Sequence, residues 1–136
     1  MTFNDVKIIQ LPKILDERGN LSFFENEKHI PFIIKRTYWI YDVPGGEERG
    51  GHAYRSLQEF IVALSGSFDV ILNDGNEEKC YTLNRSYFGL YVPKMLWRHM
   101  ENFSTNSLAL IVASELYNEN EYIRDFEQYK SLKYGN

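Results

Sequence analysis

The stretch "RGGHAYRSLQEFIVALSG", Arg49 to Gly66, places charged and ring side chains immediately before an apolar run and a glycine turn, the pattern of a site edge. His52 is the group there whose ordinary pKa lies near neutrality, which suits it to carry a proton. Tyr54 is a poorer base, with a phenol that ordinarily ionises near pH 10, but it can donate a hydrogen bond to a developing oxyanion or relay a proton. Glu59, at the start of the apolar run, is placed to orient His52 or to pair with an arginine. Further on, Trp97, Arg98 and His99 are consecutive in a strand-like run. Successive strand residues point to opposite faces, so Arg98 and His99 should diverge unless a bulge realigns them.

Positioning these groups calls for strands. From about residue 32 to 114 the chain runs as short β-rich blocks, "IIKRTYWIYDV", "EFIVAL", "SFDVIL", "KCYTL", "YFGLYV", "WRHMENF" and "LALIVAS", separated by turn residues. That rhythm is the signal of a sandwich or barrel. Asp74-Gly75 supplies the turn of a hairpin between "SFDVIL" and "KCYTL". Near the C-terminus, Asn118 followed three residues later by Glu121 resembles a capping box, and Tyr122, Ile123 and Phe126 recur at helical spacing. One terminal helix is expected there.

The chain has 136 residues, enough for one domain with a real core, and 15% of them are aromatic, which favours pleated sheets. The net charge is −4 and the basic residues are scattered, so nucleic acid is not an expected partner. The single cysteine, Cys80, cannot form an internal disulfide, the N-terminus lacks a signal-like apolar core, and no apolar run approaches the length of a membrane span. A cytoplasmic protein without membrane contact is expected.

The spacings resemble two known motifs. His52, Tyr54, Glu59 and Gly66 stand at the four positions of the first cupin motif, and Gly89, Pro93, Arg98 and Asn102 echo the second. The resemblance implies an all-β fold, a jelly-roll barrel of antiparallel strands with a short C-terminal helix, spanning residues 1–136 as one cupin domain. Metal-binding cupins hold their ion with histidines and an acid at these positions. Here Tyr54 and Arg98 replace two of them, and a guanidinium is permanently cationic with no lone pair to offer. No metal and no other cofactor are expected.

More of the chain enters a second resemblance. "DERGNLSFFE", "IKRTYWIYDVPGGEERGGHAY", "LYVPKMLWRHMENFS" and "YNENEYIRDFEQY" are similar to the dTDP-4-oxo-6-deoxy-D-glucose 3,4-ketoisomerases, cupins that make precursors of deoxysugars for surface glycans. The resemblance implies a dTDP-linked keto-sugar as substrate, with His52 as proton shuttle and Tyr38, which matches a pocket tyrosine of the family, as a catalytic companion. Where the family commonly has His-x-His this chain has His52-Ala53-Tyr54, and Tyr54 is a catalytic candidate by its own chemistry. It implies Arg18 and Arg49, each followed by glycine, as diphosphate ligands. Arg98, Glu59 and His99 are further candidates for substrate contact, and Trp97, Tyr91 or Phe24 for stacking on the base. It also implies a homodimer that exchanges strands from the first 30 or so residues. Two alternatives stand beside the isomerase: a 3,5-epimerase of the same substrate, and a sugar-nucleotide-binding cupin without turnover.

Overall fold

The computed structural model describes residues 2–135. Among them the chain forms β1 (Lys7–Gln10), β2 (Lys13–Ile14), β3 (Leu21–Ser22), β4 (Arg36–Tyr41), β5 (Arg49–Tyr54), β6 (Glu59–Ser65), β7 (Phe68–Asn73), β8 (Glu78–Leu83), β9 (Phe88–Val92), β10 (Trp97–Glu101), β11 (Leu108–Ala113), β12 (Tyr122–Ile123) and α1 (Phe126–Tyr134). Two five-stranded sheets have the orders β1-β9-β6-β11-β4 and β12-β5-β10-β7-β8, and β2 pairs with β3 as a separate small hairpin. Every strand pairing is antiparallel. From β4 to β11 the chain crosses from one sheet to the other at each step except β7–β8, the connectivity of a jelly roll.

The period of two explains the core. Along β7, Phe68, Val70 and Leu72 are buried while their neighbours are partly exposed. They meet Ile61, Leu90, Met100 and Ile111 between the sheets. The opposite face of the first sheet is covered at one end only, where Leu11, Ile30 and Phe32 pack on Phe60, Val62 and Val112. At its other end Trp39, Tyr41 and Leu64 stand 57%, 62% and 43% exposed.

Two turns need their residues. Gly66 joins β6 to β7 at φ +66°, and a Cβ there would lie 2.4 Å from Ser104 Oγ. Between β7 and β8 the connection runs from Asp74 to Glu77, with the Asp74 carboxylate accepting the amides of Asn76 (2.9 Å) and Glu77 (3.0 Å).

The C-terminal helix starts later than its sequence pattern suggests. Asn118 caps a single 3-10 turn, Glu119–Glu121, and Tyr122 and Ile123 form an edge strand paired with Tyr54 and Ala53. Pairing with β5 overrides the helical spacing. The helix begins at Phe126, with Asp125 as its cap, and packs Phe126 and Tyr129 against Trp97, ring centroids 5.2 and 5.8 Å away.

Candidate active site

Four strands aim polar side chains at one end of the barrel. Tyr38 comes from β4, His52 and Tyr54 from β5, Glu59 from β6 and Arg98 from β10. Glu59 and Arg98 are 1% and 2% exposed, so their charges must be satisfied by one another. Arg98 Nε donates to Glu59 Oε1 at 2.8 Å and Nη2 to Oε2 at 3.1 Å, a bidentate fork. Nη2 also donates to the Tyr38 hydroxyl at 2.9 Å, and that hydroxyl donates to Glu59 Oε2 at 2.5 Å. The Tyr54 hydroxyl sits 3.3 Å from Glu59 Oε2 and 2.9 Å from His52 Nε2. A continuous path therefore joins the imidazole to the buried carboxylate through one phenol.

Room for the guanidinium comes from Gly50, at φ +92°. A Cβ there would lie 2.9 Å from Arg98 Nη1. The register of β5 on β10 shifts at the same place, with Arg98 opposite His52 but His99 opposite Gly50, leaving Gly51 as the extra residue.

Electrostatics sets the protonation states. Burial, then the positive charges of Arg98 and Arg124, push the His52 pKa down to about 3, so the imidazole is neutral at physiological pH. Burial and the neighbouring Glu59 carboxylate push both Tyr38 and Tyr54 well above the ordinary phenol value, keeping both protonated. Burial works against the Arg98 charge, but Glu59 outweighs it and holds the guanidinium far above its ordinary range.

These groups open into a cavity of about 520 Å³. Of the residues singled out from sequence, Tyr38, Arg49, His52, Tyr54 and Arg98 line it, and Glu59 lies directly behind them. Five candidates are placed elsewhere. Trp97 and His99 flank Arg98 and point to the outer side of the sheet, Trp97 under the helix and His99 bonded to Glu101 through Nε2 at 2.6 Å. The strand irregularity is present but does not bring His99 inward, because the extra residue is on β5. Arg18 lies beside the β2–β3 hairpin with its side chain 90% exposed, paired to Asp16. Tyr91 and Phe24 also face away from the cavity, packed against Phe32 and Phe60. Among the described residues, the cluster Glu48, His99 and Glu101 brings three ligand atoms within 4.8 Å of one another, outside the His52 cavity.

Among the lining residues that the sequence reading does not single out are Arg36, Tyr117, Tyr122 and Arg124. Tyr122 has its ring 5.0 Å from His52 and 4.9 Å from Tyr54. Arg36 stacks over Tyr38 and Tyr117, and its buried Nε has no hydrogen-bond partner. For Tyr117, Tyr122 and Arg124 the signal lies in "YNENEYIRDF", whose spacing reads as a helix start instead of a chain segment laid along a site.

A family model described as "FdtA: WxcM-like, C-terminal" matches residues 4–134. The chain belongs to that family. A TDP-4-oxo-6-deoxy-alpha-D-glucose-3,4-oxoisomerase from Aneurinibacillus thermoaerophilus is 44% identical over 124 residues, covering 91% of this chain and 89% of the relative. A 3,4-ketoisomerase from Helicobacter canadensis superposes with a TM-score of 0.93 at 43% identity, over 96% of this chain and 98% of the other. The 3,4-ketoisomerase QdtA from Thermoanaerobacterium thermosaccharolyticum, solved as a mutant in complex with TDP-4-keto-6-deoxyglucose, superposes at 0.95 with 34% identity, over 100% and 98% of the two chains. The fold extends to a dTDP-4-dehydrorhamnose 3,5-epimerase from Bacillus anthracis, at 17% identity with a TM-score of 0.78 over 90% and 79% of the two chains.

Proposed function

We infer that this chain is a sugar-nucleotide 3,4-ketoisomerase that converts dTDP-4-keto-6-deoxyglucose into a dTDP-3-keto-6-deoxyhexose for deoxysugar synthesis. The observation that carries the reading is the His52–Tyr54–Glu59 path at the floor of the cavity, in a chain 44% identical to a named 3,4-oxoisomerase.

The reaction is redox-neutral within the sugar: C3 is oxidised as C4 is reduced, so no external oxidant or reductant takes part. His52 takes the proton from C3, and the electron pair of that bond forms the C3–C4 double bond while the C4 carbonyl becomes an enediolate oxygen. A proton then passes from the C3 hydroxyl to the C4 oxygen, the C3 carbonyl forms, and the protonated His52 returns its proton to C4. For His52 to accept, Tyr54 turns its hydroxyl proton from Nε2 toward Glu59 Oε2, 3.3 Å away. Tyr38 and Tyr54 direct their single hydroxyl protons to Glu59 during this step, and Arg98 behind them contributes the positive charge that favours the enediolate. A neutral imidazole with depressed basicity is a weak base in the empty cavity. The negative diphosphate of the substrate offsets the share of that depression that comes from Arg98 and Arg124, while the larger share, from burial, remains.

Arg49, at the rim, is a diphosphate ligand in this reading. Arg18 lies outside the His52 cavity of its own chain, and in this reading it serves the site of a second copy. Its hairpin carries Ile14, Leu15 and Leu21, 56%, 71% and 54% exposed, and the open end of the first sheet offers Trp39 and Tyr41. Two such apolar surfaces on one molecule suit a homodimer that exchanges N-terminal segments. No described helix is long and apolar enough to cross a membrane. We place the enzyme in the cytoplasm, where sugar nucleotides are made and the exposed Cys80 stays reduced.

The test is incubation with dTDP-4-keto-6-deoxyglucose in deuterated water, followed by proton NMR. The expected product has its carbonyl at C3, with C4 carrying protium where His52 hands over the C3 proton directly and deuterium where the imidazolium exchanges with solvent first. A product that keeps the carbonyl at C4 while exchanging C3 and C5 is an epimerase's, and TDP binding with neither isomerisation nor exchange marks a binding protein.

A further inference from the structure

The segment from Tyr117 to Arg124 forms one wall of the cavity, yet it has little regular structure to hold it. Its strand, β12, is two residues long and lies at the sheet edge, too short to be stable by its own ladder. It nevertheless sets Tyr122 edge-on to His52 and Tyr54, with the Arg124 guanidinium 4.3 Å over the Tyr122 ring and Tyr117 packed behind it at 5.8 Å.

What fastens the segment lies outside the cavity. Glu121 Oε1 accepts the backbone amides of Ser56 and Leu57, the latter at 2.7 Å, and Oε2 accepts the Ser56 hydroxyl at 2.9 Å. Two further bonds join the same neighbours: the Arg55 amide donates to the Glu121 carbonyl at 3.0 Å, and Arg55 Nε to the Asn120 carbonyl at 3.1 Å. Bonds from amides to a carboxylate are about twice as strong as neutral ones. The loop so gripped, Arg55 to Gln58, joins the strand bearing His52 and Tyr54 to the strand bearing Glu59. One carboxylate thus ties the wall to the loop between the two catalytic strands.

We propose that Glu121 is a positioning residue for the ketoisomerase reaction: it touches neither substrate nor His52, but sets the Tyr117–Arg124 wall against the imidazole and so fixes the shape of the sugar-nucleotide site. The proposal rests on the ketoisomerase reading for its kinetics and on TDP affinity independently of it.

The experiment compares wild type, Glu121→Ala and Glu121→Gln in turnover of dTDP-4-keto-6-deoxyglucose and in calorimetric binding of TDP. Gln keeps the anchor, because its carbonyl can accept both amides while Ser56 reverses its hydroxyl to accept from the amide group. In E121A, KM and the TDP dissociation constant are expected to rise about tenfold, as displacement of a supporting element by about an ångström can do, with kcat within about threefold of wild type. E121Q is expected to stay within about threefold of wild type in all three quantities. A merely structural role reduces the folded fraction, which lowers apparent kcat and leaves KM alone. Unchanged KM and TDP affinity in E121A, or equal impairment of E121A and E121Q, overturns the proposal. Should E121A melt below the assay temperature, Ser56→Ala, which removes one leg of the anchor, must raise KM about threefold, and an unchanged KM overturns it too. If the wild type binds TDP but isomerises nothing, the ketoisomerase reading fails, and the TDP affinities alone decide on Glu121.

Discussion

His52 and Tyr54 are two residues apart on one strand, so their side chains share a face and meet at 2.9 Å. Their environment makes a pH prediction. His52 ionises at 6.5 in an unfolded chain and at about 3 in the folded one. Below pH 6.5 the unfolded chain therefore binds the extra proton, and this group's share of the stability is lost as the pH falls toward 3. For the free enzyme, kcat/KM is expected to stay level from about pH 8 down to about pH 5. An inflection near 6.5 in that profile would show the imidazole to be solvated. Glu59 supports the same group of side chains from beneath. Glu59→Gln leaves Arg98 buried without a counter-charge, and a loss of about 3–5 kcal/mol in denaturant unfolding is expected. A loss under 1 kcal/mol would mean that water reaches the pair and screens it.

At the scale of elements, the irregular pairing of β5 with β10 brings Arg98 opposite His52, and Gly50 leaves space for the guanidinium beneath it. Gly50→Ala both strains a backbone at φ +92° and crowds Arg98. The expected result is destabilisation of about 1–3 kcal/mol, with activity falling more steeply than the folded fraction measured by thermal melts. Retention of full activity by the folded fraction would mean that the guanidinium has room to move without consequence. The same strand pairing explains why His99 and Trp97 serve other purposes. Alternation turns them outward, and α1 covers Trp97.

For the molecule as a whole, the exposed hairpin with Arg18 and the half-covered first sheet lead to a prediction in trans. Arg18→Ala and His52→Ala are each expected to be nearly inactive alone. Mixed under conditions that exchange subunits, they should recover about a quarter of wild-type activity, the statistical share of sites with both residues intact. Light scattering should report twice the chain mass. No recovery from an exchanged mixture would place Arg18 outside the site.

Much of this was legible from residue types and spacing. Alternating apolar runs and their turns dictate antiparallel sheets, because a strand's two faces meet different surroundings. His52, Tyr54, Glu59 and Arg98 stand at motif spacings that one jelly roll brings to one end of its barrel. Strand alternation alone separates Arg98 from His99. What the linear pattern could not show was set by contacts between distant segments. The run from Tyr117 to Ile123 reads as a helix start until β5 offers Tyr122 and Ile123 a partner, and only then do Tyr117, Tyr122 and Arg124 become a wall of the cavity. Likewise Tyr38, Glu59 and Arg98 come from three strands, and only folding makes them a single buried unit. His52 is a proton carrier by residue type. Its being neutral and linked to a buried carboxylate follows from burial and from charges that no neighbour in sequence supplies.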